Sequence, residues 1–239
     1  MMQVSLQRPQ SPRESSSPLD QVPRLTPVPA AVPVSKHASA FMHLYYALEA
    51  RRTSMMPLVI QFISPSPKAG VSVTSSGYAR VAAEAQAGRV LFVDAACRDP
   101  SPADRLADEA TLVDAFQNGD PPGSAIFPAR FAKNLFWTRL CNGRGSSLNL
   151  GVEKTKVLFD SLRRDHSLII LDCASRMGPE ATALARYCDG SVLVVAAGKT
   201  SQAEIASARR QIERVGGQVV GLVLNRERGR VSRRGEEFS

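Results

Sequence analysis

Residues 58–79, LVIQFISPSPKAGVSVTSSGYA, carry a glycine and a hydroxyl where a phosphate-binding loop needs them, and a valine where it needs a cation. In a working loop, backbone N–H groups and a helix start cradle the phosphates. A lysine ammonium neutralises the outer phosphate charge, and a serine or threonine hydroxyl joins the Mg²⁺ shell. Here the G-K-[ST] order reads Gly70, Val71, Ser72, so glycine and hydroxyl remain without the ammonium. Losing such a charge-assisted contact costs roughly 1.5–3 kcal/mol of ground-state binding. Transition-state charge would then be met by backbone donors alone. Two carboxylates add to the constellation: Asp94 ends the apolar run RVLFV, and Asp172 ends SLIIL. Carboxylates at those places can orient a metal ion or an attacking group in phosphoryl transfer.

The surrounding pattern supplies the elements that would position these groups. An apolar run at 58–63 reads as a buried strand, and the helical pattern after the loop reaches Gln86. Further strands are expected at 89–93, 134–140, 167–171, 191–196 and 219–224, the last ending in Asn225. Helices are expected at 38–52, 152–164, 179–187 and 201–215, with a weaker one at 112–116 and a turn or loop at the PPG of 121–123. Nearly all-apolar strands alternating with helices predict an α/β domain, a mostly parallel sheet flanked by helices on both faces. Ligand sites of such sheets form at the C-terminal strand edge, where the loop, Asp94 and Asp172 would converge.

Residues 1–35 are rich in Pro and Ser with few large apolar groups, which predicts a disordered arm. The domain is expected over 36–228, followed by a basic flexible tail at 229–239. No apolar run in the 239 residues reaches the ~20 a membrane helix requires, and the opening residues lack a signal-peptide core, so a cytoplasmic location is expected. Cys97, Cys141, Cys173 and Cys188 are widely spaced and are read as free thiols; with His37, His43 and His166 unpaired as well, no metal site is expected. The formal net charge of +8 favours an acidic partner or an anionic surface. Between Arg130 and Arg164, eight Lys/Arg face only Glu153 and Asp160. No G-x-G-x-x-G occupies the first loop, which argues against a dinucleotide fold, and the basic tail has no interleaved aromatics for nucleic acid.

The order and spacing of these motifs resemble the MinD/ParA-like P-loop ATPases, and most closely the kinase domain of bacterial tyrosine kinases that accompany polysaccharide co-polymerases. The strongest stretch is YCDGSVLVVAAGKTSQAEIASARRQIERVGGQVVGLVLNRER, in which Asp189, Gly190, Gly198, Thr200, Gly221 and Asn225 fall on family positions. The resemblance implies a P-loop NTPase-like three-layer fold. It also implies a nucleotide site of Gly70, Ser72, Asp94, Asp172 and Asn225, the last on the base side. The departures are systematic. Val71 replaces the loop lysine, Ser66 stands where the MinD/ParA relatives have a second lysine, and Ala96 replaces the second aspartate of D-x-D-x-R, in which Asp94 and Arg98 match. Ser175 replaces the proline after Asp172, Met42 and Tyr45 replace helix arginines, Ser39 replaces a glutamate, and the C-terminus has no tyrosine cluster. The resemblance therefore implies a degenerate nucleotide site, vestigial in function, with no bound cofactor; retained ATP and Mg²⁺ would be the exception. The implied role is a non-catalytic regulator or scaffold of exopolysaccharide or capsule synthesis and export. Its partners would be a membrane co-polymerase or synthase, an anionic surface at the inner membrane, and further copies of itself, with nucleic acid not expected. The alternative is a divergent active ATPase or tyrosine autokinase, with Lys68 or a partner's cation replacing the missing lysine.

Overall fold

The computed structural model describes residues 38–52, 57–96, 110–141, 150–173 and 177–226. The expected arm at 1–35 and tail at 229–239, together with Cys97, Arg98 and Ser175, lie outside the described residues. In chain order the elements are α1 (Ala38–Glu49), β1 (Leu58–Ile63), α2 (Val71–Ala85), β2 (Val90–Asp94), α3 (Leu112–Asn118) and β3 (Phe127–Pro128). They continue with β4 (Leu135–Arg139), α4 (Gly151–Asp165), β5 (Leu168–Asp172), α5 (Pro179–Leu184), β6 (Gly190–Ala196), α6 (Gln202–Arg214) and β7 (Val219–Asn225). The strands form one seven-stranded sheet in the order β3-β4-β2-β5-β1-β6-β7. Every neighbouring pair is parallel except β3 with β4.

Alternation along the strands feeds two cores. Val59, Ile63, Leu91, Val93, Ile169 and Leu171 face one cluster, closed by α3, α4, α5 and α6 through Leu112, Phe159, Leu184 and Ile212. Ile60, Phe62, Val90, Phe92, Leu168 and Ile170 face the other, closed by α1 and α2. Both faces being covered is why the central strands read as continuous apolar runs. On the second face α1 lies on α2 where Gly77 leaves room for the Phe41 ring, and the Phe62, Tyr78 and Tyr45 rings follow one another at centroid distances of 5.4 and 6.4 Å. Thr111 and Ser201 open α3 and α6 with capping boxes, reciprocally bonded to Asp114 and Glu204.

Two expectations are corrected. The PPG segment is not a simple turn: Pro122–Ala125 is a 3₁₀ helix leading into β3, which pairs antiparallel with β4. Its two residues are too short to carry a periodic signal. Cys173 and Cys188 are free thiols as expected, but Cys141 is disulfide-bonded. Sequence separation, which suggested free thiols, does not limit which residues a crossover sheet brings together.

His166 links the fold to pH. Its Nδ1 bonds the Leu162 carbonyl at 3.0 Å, while Nε2 is buried without a partner among the described residues. Desolvation is the main cause that lowers its pKa below 6.5; the Leu162 bond and Asp165 oppose this, and Arg89 reinforces it. A neutral imidazole therefore suits the folded state, and protonation would bury an N–H with no acceptor. The contribution is fully present above the unfolded value near 6.5 and is lost as pH falls through the lower folded value. Urea denaturation is expected to show less stability at pH 5 than at pH 7, with the difference reduced in His166→Gln. At the α1–α2 contact, any Cβ at Gly77 overlaps the Phe41 ring. Gly77→Val is therefore expected to destabilise by about 1–3 kcal/mol in the same measurement, partly relieved by Phe41→Leu.

Candidate functional site

The loop between β1 and α2 is held by its own backbone. Ser64, buried at the end of β1, accepts from the Ser66 N–H at 3.1 Å and donates to the Ser66 carbonyl at 2.9 Å. Lys68 and Gly70 take left-handed conformations, with φ of 58° and 93°. A lysine in that region is unfavourable by about 1–2 kcal/mol, and Lys68 keeps it in a loop that glycine would fit without strain. Gly70 caps α2, and the Thr74 N–H and hydroxyl both donate to its carbonyl, at 3.0 and 2.9 Å. The N–H groups of Val71, Ser72 and Val73 lie in the first turn, beyond reach of i−4 partners within the helix. This is the backbone part of an anion cradle.

Val71, in the place of the loop lysine, is the first residue of α2 and is 2% exposed. It belongs to the apolar cluster with Ala69, Phe62, Val192 and Val194, so this position is part of the core. Lys68 is exposed. Ser66 is two residues away, its hydroxyl 3.4 Å from Glu204 at the start of α6. The half-buried Ser72 lends its carbonyl to the Ser75 and Ser76 hydroxyls, at 3.3 and 2.6 Å.

The structure brings Asp94 and Asp172 together as register partners on adjacent β2 and β5. Asp172 also pairs in register with Phe62 on β1, which places it between the loop-bearing strand and Asp94. Asp172 is 2% exposed, and the half-buried Asp94 turns its Oδ1 back to accept from the Ala96 N–H at 3.0 Å. The neighbouring Cys173 is no nucleophile: burial pushes its thiol up to about 12, Asp172 and Asp94 reinforcing the rise and the Gln61 hydrogen bond opposing it.

Asn225 closes the site from the far strand. Its Nδ2 donates to the Ala69 carbonyl at 2.8 Å, and its Oδ1 accepts from the Arg226 N–H at 2.9 Å. A Cβ on Gly70 would overlap that amide, so Gly70 has two reasons to be glycine: its φ and this approach. The asparagine placed on the base side by resemblance spends its carboxamide on holding the loop. The sequence reading did not foresee this tie between residues 156 positions apart. The signal was present in the co-occurrence of Gly70 and Asn225, but nothing in either segment alone specifies it.

Among the described residues no cluster of three or more His, Cys, Asp or Glu could hold a metal ion. A nucleotide would find backbone N–H groups, the Ser72 hydroxyl and two carboxylates, with no ammonium inside the loop. A cavity of about 530 Å³, lined by Leu48, Arg51, Arg52, Asp189 and Gln218, lies at the opposite edge of the sheet and shares no residue with the loop.

No protein-family model and no curated protein sequence matches the chain. Solved structures do. The kinase domain of the Escherichia coli tyrosine kinase ETK superposes with a TM-score of 0.67 at 21% identity, over 84% of this chain and 78% of that one. The VpsO kinase domain gives 0.64 at 18% identity, over 81% and 97%. The Pyrococcus furiosus cell division ATPase MinD gives 0.53 at 17%, over 71% and 72%. At these identities the likeness is one of fold, and the resemblance read from the motifs is met in the architecture: this chain has the fold of the bacterial tyrosine kinase domains and of the MinD-type P-loop ATPases.

Proposed function

We propose that this protein is a non-catalytic relative of the tyrosine kinase domains, a regulator or scaffold that acts with a membrane co-polymerase or synthase in bacterial polysaccharide production. The observation that carries the loss of catalysis is the burial of Val71. The position that should present an ammonium to the outer phosphates is instead a core contact at 2% exposure. The turned-back Asp94 and the Asn225–Ala69 bond support the same reading, because groups expected to meet metal and base are engaged within the chain. The polysaccharide context rests on the motif resemblance of residues 187–228, joined to the fold shared with ETK and VpsO.

A second reading has one observation in its favour. The loop keeps the left-handed turns and free helix N-terminus of a phosphate cradle, with Asp94 and Asp172 adjacent beside it. A divergent ATPase would then draw its cation from exposed Lys68 or from a partner.

Calorimetry with Mg-ATP and a phosphate-release assay separate the two. The expected result is no turnover and no heat of binding at tens of micromolar protein. Micromolar binding, with turnover lost in Asp172→Ala, overturns the non-catalytic reading; ATP-dependent dimerisation in sizing experiments would then establish the second.

A further inference from the structure

The connection between β3 and β4, residues 129–134 (ARFAKN), stands out as a rigid, cationic, partly apolar projection at the edge of the sheet opposite the loop. Its rigidity comes from Asn134. The side-chain Nδ2 lies 3.0, 2.9 and 3.0 Å from the carbonyls of Ala83, Gln86 and Gly88, which closes the end of α2. The Asn134 carbonyl accepts from the Val90 N–H at 2.8 Å, and the Ala129 and Leu135 N–H groups bond across the turn. The segment is thereby fixed to α2 and to the start of β2. From it Arg130, Phe131 and Lys133 all project as exposed side chains, Phe131 at 39%.

One more cation comes from the scaffold: the Arg80 guanidinium of α2 lies 4.5 Å from the centre of the Phe131 ring, whereas that of Arg89 lies over Phe136, which packs against the core on the other face of the sheet. Arg80, Arg89, Arg130 and Lys133 form no ion pair among the described residues, whereas Arg163, Lys156 and Arg209 each hold a carboxylate. The buried Arg80 Nε has no acceptor among the described residues. Helix C-termini attract cations through their carbonyls, but at the end of α2 Asn134 takes the Ala83 and Gln86 carbonyls, and Arg80 lies over a ring instead.

We propose that Arg80, Arg130 and Lys133, together with the exposed Phe131, form a docking surface for the anionic phosphate headgroups of a lipid bilayer. Unpaired cations supply attraction to an anionic leaflet, and an aromatic edge among them suits the headgroup boundary. Nucleic acid fits less well: one face of the exposed ring is taken by Arg80, and a single half-covered aromatic makes a poor stacking platform for successive bases. The proposal deepens the membrane-partner part of the proposed function and does not depend on the fate of the nucleotide site.

Co-sedimentation of the full chain with vesicles of phosphatidylglycerol and phosphatidylcholine, and of phosphatidylcholine alone, tests it at ~0.1 M salt. Binding is expected to the anionic vesicles only and to weaken as salt rises. The variant R130E/K133E, whose exposed positions leave the melting curve unchanged, should lower partitioning by more than about tenfold. Phe131→Ser should weaken binding while leaving its salt dependence, a change that a purely charged surface would not show. Replacing Arg228, Arg230, Arg233 and Arg234 by Gln should retain most of the binding. The proposal is overturned if the tail variant abolishes binding while R130E/K133E does not, if neutral vesicles bind equally, or if duplex DNA binds and competes the vesicles away. Because no nucleotide is present, a negative result here leaves the non-catalytic reading standing, and ATP turnover in the other assay leaves this one standing.

Discussion

The carboxamide of Gln61 is wholly buried in β1, in the middle of the sheet, and the strands around the site are fixed by the need to satisfy it. Its Nε2 donates to the Ala181 carbonyl in α5 and approaches the Cys173 sulfur at 3.1 Å, while its Oε1 accepts from the Ser191 hydroxyl at 2.9 Å. One side chain thus joins β1 to the end of β5, to β6 and to a helix on the covering layer. A buried amide left without these partners would cost about 1–3 kcal/mol, so the register of three strands and the seat of α5 must be met together. The loop leaves from the end of β1 and Asp172 from the end of β5, which makes the geometry of the candidate site a consequence of that demand.

The two edges of the sheet use polar groups differently. At the C-terminal edge, Asn225 and Asp94 turn inward to backbone groups and leave little side-chain chemistry free. At the N-terminal edge, Asp189 accepts from the Val59 N–H at 2.6 Å and holds Arg163 through both carboxylate oxygens, at 2.8 and 3.1 Å. Arg163 also reaches the Pro57 and Tyr187 carbonyls, so the end of α4 is tied to the starts of β1 and β6 by one ion pair. This gives a place in the fold to the Asp189 that the sequence marked only as a family position.

Most of the architecture could be read from the chain because its long elements carry strong periods. The central strands are apolar on both faces and the helices begin at recognisable caps such as Ser201 with Glu204. What stayed hidden has a common physical cause: it depends on pairs of residues far apart in sequence. Gln61 interrupts an apolar run for reasons visible only when Ser191 and Ala181 arrive beside it. The Asn225 contact to Ala69 and the Asn134 closure of α2 are of the same kind. Residue types at the site were legible; how their hydrogen-bonding capacity is spent was not.

The way the loop is fastened bears on timing. Nucleotide switches work because a segment has two arrangements and the ligand has different affinities for them. Here Val71 seats the loop in the core and Asn225 fastens it from the opposite strand, before any ligand arrives. A loop fastened in this way has less freedom to take the second arrangement that a switch requires. On the proposed non-catalytic reading the domain does not keep time by hydrolysis, and its influence follows where it is and how much of it is there.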